Sequence, residues 1–192
     1  MANFYLDVET CPIDREQYEA LDETERKKLI NPIDSSIVSI GIKRDGHEIV
    51  ILRDEDEAKM LREFWEAVAA FRKTAGTSRI VGFNIKDFDL PVLVTRSFIN
   101  NVKIVPFNLK EVVDLREKLS AYKYGNVRGK LKEFAELIGM EILEDVDGSK
   151  VAELCWKGEW DKITAYLRRD IEITEAIHKR TVELRINEIE RW

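Results

Sequence analysis

Residues Asn3 to Thr10 read N-F-Y-L-D-V-E-T. Phe4, Leu6 and Val8 alternate with Tyr5, Asp7 and Glu9, the period-two pattern of a β-strand with one apolar face and one face carrying two carboxylates. One reading leaves those acids in water on the solvated side of the strand. The other has Asp7 and Glu9, at i and i+2, gripping a divalent cation, because Mg²⁺ and Mn²⁺ favour carboxylate oxygens in a fixed octahedral geometry. A D-x-E triplet alone does not separate the two readings.

Outward from this strand, the polar stretch Pro12 to Ser36 reads as an insertion carrying one short surface helix within Asp14–Leu29, before Asn31-Pro32 breaks it. Ile37–Ile42 reads as a strand, Asp45-Gly46 as a tight turn, and Glu48–Leu52 as the antiparallel return. Leu61, Phe64, Trp65, Val68 and Phe71 then form one stripe on a helix from Asp56 to Lys73. A buried strand at Arg79–Phe83, a helix at Phe88–Asn100 and a further strand at Val102–Val105 follow, with Val112–Asp114 as a strand end or helix start. After Asn126, Leu131, Phe134, Ala135 and Ile138 keep helical spacing until Gly139 stops it; helices at Gly148–Trp156 and Trp160–Ile189 complete the chain. Three strands, a helix, a strand and then mostly helices predict an α/β fold with a central mixed sheet flanked by helices. No repeat, linker or low-complexity segment divides the sequence, so residues 1–192 are expected to form a single domain.

Composition narrows the possible functions. Charged residues make up 35% of the chain, above the ~25% of average proteins, which suits ion-pair networks. The net charge of −6 does not advertise affinity for a polyanion, so a nucleic-acid partner would need local basic patches or bound cations. Cys11 and Cys155 are distant in sequence and too few for a disulfide framework or zinc site, and both read as reduced thiols. The N-terminus lacks the regions of a signal peptide and no apolar run approaches the ~18 residues of a membrane span, so a soluble, cytoplasmic protein with no membrane role is expected.

Two further acids sit where acids are costly. On the last helix, with Ile163 at zero and 100° per residue, Leu167, Thr174 and Ile177 fall within about 40° of it. Asp170 falls inside this apolar arc, with Tyr166 one turn before, while Arg168, Arg169, Glu172, Glu175 and Lys179 lie opposite. A carboxylate there must be paired with an arginine, protonated or metal-bound. Asp89 lies in N-I-K-D-F-D, Asn84 to Asp89, just before Leu90-Pro91, where it reads either as a helix N-cap or as a functional acid; Asp87 competes for the cap.

D-V-E at 7–9, N-I-K-D-F-D at 84–89 and Y-L-R-R-D at 166–170 together resemble the three exonuclease motifs of the DEDD superfamily of 3′-5′ exonucleases, in its tyrosine-bearing (DEDDy) branch. The chain is similar over most of its length to the proofreading domain of family B DNA polymerases and its stand-alone relatives, and P-I-D-S-S-I-V-S-I-G-I, Pro32 to Ile42, extends the likeness. The resemblance implies a ribonuclease H-like fold and 3′-5′ hydrolysis of single-stranded DNA to 5′ mononucleotides. It implies that Asp7, Glu9, Asp89 and Asp170 are ligands of two divalent ions, Mg²⁺ or Mn²⁺, roughly 3.5 to 4 Å apart. Asp7 would bridge both ions, Glu9 and Asp170 would complete the one nearer the nucleophile, and Asp89 would hold the other through water. Tyr166 would orient the attacking water, Asn84 would place the 3′-terminal nucleotide, and Thr10 and Phe88 would line its base and sugar.

Single-stranded nucleic acid, DNA ahead of RNA, is the implied partner, with a polymerase or clamp as a possible recruiter. The polymerase palm and thumb are absent from the sequence, so proofreading would act in trans. RNA 3′-end trimming and a catalytically silent binding module of the same fold are the alternatives. Asp114 reads as a helix cap, Trp156 and Trp160 as packing residues, and Arg128, Lys130, Lys132 and Lys150 as a solvated face, ahead of contacts to phosphates. His47 and His178 are isolated, without zinc-site spacing.

Overall fold

The structure is a computed structural model that describes residues 1–123, 129–142 and 148–190, so Asn126 and Arg128 lie outside the described residues. β1 (Ala2–Pro12) is the central strand of a five-stranded mixed sheet of order β3-β2-β1-β4-β5. It pairs antiparallel with β2 (Ser35–Arg44), which turns through Asp45-Gly46 toward the antiparallel β3 (Val50–Leu52). On its other side β1 runs parallel to β4 (Ser78–Gly82), and β4 parallel to β5 (Val112–Asp114).

A central strand covered on both faces sorts its alternating side chains between two cores, not between a core and water. Phe4, Leu6 and Val8 pack with Met60, Leu61 and Phe64 of α3 (Glu57–Ala75) and with Leu90 and Leu93 of α4 (Asp89–Ile99). On the opposite face Tyr5, only 1% exposed, meets Val81, Val113 and Ile171, Ile173 and Ile177 of α8 (Trp160–Glu183). The side of β1 that carries Asp7 and Glu9 is therefore roofed by a helix, which corrects the solvated-face reading.

Several elements depart from expectation for local reasons. Asp14–Leu29 holds two helices, α1 (Arg15–Ala20) and α2 (Glu23–Lys28), because the Asp22 carboxylate accepts from the Thr24 and Glu25 amides at 2.8 and 3.0 Å and starts a second helix. Val102–Val105 is not a strand: both valines pack against the first core from a loop, and the place beside β4 is taken by β5. Asp114 closes β5 and caps α5 (Leu115–Leu119), accepting from the Arg116 amide at 2.9 Å, as the capping reading expects. α6 (Leu131–Leu137) ends before Gly139, whose φ of +79° suits a residue without Cβ. α7 (Val151–Trp156) follows a 3₁₀ turn at Gly148–Lys150. α8 stops at Glu183, short of Ile189, where Arg185 turns left-handed (φ +61°) into a 3₁₀ turn at Ile186–Glu188.

Candidate active site

In the β1–β2 register Asp7 lies opposite Gly41 and Glu9 opposite Ser39. A Cβ on Gly41 would meet Leu167 Cγ at 2.9 Å and Ile171 Cγ1 at 3.1 Å, so the missing side chain is what lets α8 settle directly over this part of the sheet. Asp170, between those two residues on the helix, is thereby brought to β1: Asp7, Glu9 and Asp170 each offer a carboxylate oxygen, all within 4.8 Å of one another. A register shift between Glu9 and Thr10, where Glu9 pairs with Ser39 and Thr10 with Ile37, leaves Val38 as the extra residue of a bulge beside the site.

Asp170 is buried, and its Oδ1 has no hydrogen-bond partner. The arginine pairing considered for it is not formed among the described residues; neighbouring Arg169 instead binds Glu172 and the Glu141 carbonyl. Burial drives the Asp170 carboxyl up to about 6, against the Tyr166 hydroxyl and the Lys132 and Arg169 charges, which favour ionisation. Asp7 and Glu9, half-buried, are raised well above the ordinary carboxylate range, first by burial and then by the other acids of the cluster. Carboxylates that disfavour one another's charge, one of them with an orphaned buried oxygen, could hold a hard divalent cation.

Asp89 stands beside this group and outside its 4.8 Å circle. The N-cap of α4 is Phe88, with no side-chain capping bond, and Asp89 is the first helical residue. Its Oδ1 instead accepts from the Val8 amide at 2.9 Å. β4 pairs with β1 no further than Tyr5–Val81 before the chain turns at Gly82, where a Cβ would lie 3.0 Å from the Leu6 carbonyl. The Val8 amide thus lacks a strand partner on that edge, and Asp89 supplies one. Burial pushes the Asp89 carboxyl up to about 8, opposed by its own and the Val8 amides. Asp87, the other candidate cap, is exposed.

Tyr166 is buried one turn before Asp170, with its hydroxyl next to Asp170; burial and the charges of Glu9, Asp170 and Asp7 raise its pKa, so it stays a neutral donor. The Lys132 ammonium lies 4.8 Å from the Tyr166 ring centre and lowers the pKa of both Glu9 and Asp170. Lys132 is thus no solvated-face residue, whereas Lys130 and Lys150 are exposed. The sequence marks it only as one of several basic residues, because it lies off the apolar stripe of α6 and only the packing of α6 on α8 brings it to the acids.

Asn84 adopts a left-handed φ of +60°; its amide donates to Asp114 Oδ1 at 3.0 Å and its side-chain oxygen accepts from Arg116 at 2.9 Å. Thr10 is buried just past the bulge, and Phe88 is half-buried against the first core. Trp156 packs edge-on to Tyr18 (5.1 Å) and under Arg15, and Trp160 lies under Arg53 at 3.9 Å, as packing residues. His178 is buried, with Nδ1 3.1 Å from the Tyr5 hydroxyl, and burial lowers its pKa to about 4.

The family model of the RNase H superfamily matches residues 23–182, a span that includes Asp89, Tyr166 and Asp170 and begins after Asp7 and Glu9. The chain is 35% identical over 167 residues to an uncharacterized protein of Methanocaldococcus jannaschii, with 80% of this chain and 90% of that one covered. Among solved structures it is similar to the family B DNA polymerase from the hyperthermophilic archaeon Pyrobaculum calidifontis, with a TM-score of 0.71 at 17% identity. That likeness is one of fold: it covers 97% of this chain and 25% of the polymerase, so the chain spans about a quarter of that protein's length. Among the described residues no helix is long and apolar enough to cross a membrane.

Proposed function

The chain belongs to the RNase H superfamily, and from that membership we propose that it is a single-domain 3′-5′ exonuclease of the DEDDy type, releasing 5′ mononucleotides from single-stranded DNA. The observation that carries the proposal is the convergence of Asp7, Glu9 and Asp170 within 4.8 Å, with the buried Asp170 Oδ1 unpartnered and Tyr166 one helical turn away. A nuclease fold supplies the setting, and this cluster supplies a reason for its acids.

Asp7, Glu9 and Asp170 would hold a divalent cation, with Asp89 serving a second through water. Bound Mg²⁺ or Mn²⁺ would activate water and neutralise charge on the phosphate. The chain's own groups do the rest. Tyr166, kept neutral by its surroundings, holds the attacking water through its hydroxyl. Lys132 adds a positive charge beside the acids, offsetting part of the cluster's repulsion when an anionic strand arrives. With its oxygen committed to Arg116, Asn84 keeps its amide N–H groups for the terminal nucleotide, and Thr10 and Phe88 flank the base and sugar.

The proposal is tested by incubating the protein and Mn²⁺ with matched DNA and RNA oligomers and separating the products by chromatography. Accumulation of 5′ deoxymononucleotides, faster from DNA than from RNA, is the expected result. Release from RNA alone would overturn the DNA assignment, and intact oligomers would leave a binding module in place of an enzyme.

A further inference from the structure

Cys11 and Cys155 are remote in sequence, and each separately reads as a lone reduced thiol. The fold brings them together. Cys11, at the end of β1, is buried, with its Sγ 3.9 Å from the carbonyl oxygen of Ala152 in α7. Cys155 follows Ala152 by three residues in α7, on the same helix face and about 5–6 Å away between Cβ atoms. Both side chains therefore border the Ala152 turn of α7. Neither contributes to the acidic cluster.

We propose that Cys11 and Cys155 form an intramolecular disulfide that staples the end of β1 to α7. Cys155 is half-buried where Cys11 is buried, so it is the thiol an external oxidant reaches. The Arg53 guanidinium favours its thiolate. With a small disulfide such as oxidised glutathione as oxidant, the Cys155 thiolate attacks one of its sulfurs and expels a glutathione thiolate. Cys11 then attacks the Cys155 sulfur of the mixed disulfide and expels the second. Two protein thiols lose two electrons and two protons, and one glutathione disulfide gains them to become two thiols. The product joins the strand that carries Asp7 and Glu9 to the helix whose Val151 and Leu154 pack with Tyr166. Closing a loop of most of the chain, it restrains the unfolded state strongly.

The full-length protein is incubated with oxidised glutathione, denatured, alkylated and weighed, and its melting midpoint is measured with and without dithiothreitol. The expected wild-type product is a monomer lighter by two hydrogens, with no alkylated cysteine and a midpoint raised by about 5–15 °C that dithiothreitol reverses. Cys11→Ser is expected to stop at a glutathione adduct on Cys155, and Cys155→Ser to keep an unreacted Cys11, neither gaining stability. A wild-type protein that retains both thiols, or that stops at the adduct, would overturn the disulfide. Mass analysis of the wild type decides the matter even where a variant folds poorly, and none of these readouts depends on nuclease activity.

Discussion

At Asp170 the ion-pair and metal readings make opposite demands on stability. A buried ion pair that loses its acid is destabilised by ~3 to 5 kcal/mol. With no ion pair among the described residues and an orphaned oxygen, Asp170→Asn should instead melt at or above the wild-type midpoint in chelator, since it removes one repelling charge, while abolishing cleavage. Thermal melts in excess chelator read this out, and a large drop in midpoint would count against the metal reading. Tyr166→Phe keeps the ring and every carboxylate, so single-turnover cleavage at saturating Mn²⁺ should slow by ~10²-fold with substrate affinity unchanged. A wild-type rate would remove Tyr166 from the mechanism. Lys132 favours the ionised forms of Glu9 and Asp170, so Lys132→Met should move the acid limb of the pH–rate profile to higher pH; an unmoved limb would make it a packing residue.

Among the elements, β1 and α8 were legible because their periods are intact: alternation at 3–10 and the apolar arc Ile163–Leu167–Thr174–Ile177 both reappear as buried faces. What the alternation does not state is what lies above the polar face. That depends on Gly41, whose meaning is set by Leu167 and Ile171 far away in sequence. Likewise Asp89 looked like a cap because its local sequence suits one, while the bond that holds it runs to Val8 across a gap in strand pairing. Lys132 read as a solvated lysine for the same reason, and Val102–Val105 has strand-like composition without a strand to pair with. Gly41→Ala should lift α8 from the sheet, costing about 1–3 kcal/mol and weakening Mn²⁺ binding, because Asp170 moves away from Asp7. Denaturant unfolding alongside Mn²⁺ calorimetry tests this; lost stability with unchanged metal affinity would separate the packing of α8 from the site.

For the whole molecule, the raised carboxyls couple the site to stability. The Asp89 and Asp170 carboxyls, at about 8 and about 6 when folded, lie above their ordinary value of 3.8, so the folded chain binds protons more tightly than the unfolded one. By linkage, metal-free stability from these groups is intact at low pH and is lost as pH rises from roughly 4 toward 8. His178, lowered to about 4, acts in the opposite sense on the acid side, equally with and without metal. A divalent cation replaces the protons, so the rise in melting midpoint caused by Mn²⁺ should be small at pH 5 and grow through pH 8. A Mn²⁺ increment that stays constant with pH would detach the cation from these carboxyls.

The acidic cluster as the cation-dependent centre of a 3′-5′ exonuclease is tested most directly with a 5′-labelled single strand of DNA, sampled over time with wild-type protein and Asp170→Asn, in Mn²⁺ and in excess chelator. In Mn²⁺ the wild type should produce a ladder that shortens one nucleotide at a time from the 3′ end, and both chelator and Asp170→Asn should leave the strand at full length. Shortening that persists in chelator or in Asp170→Asn, or fragments that come from internal cuts, would contradict it.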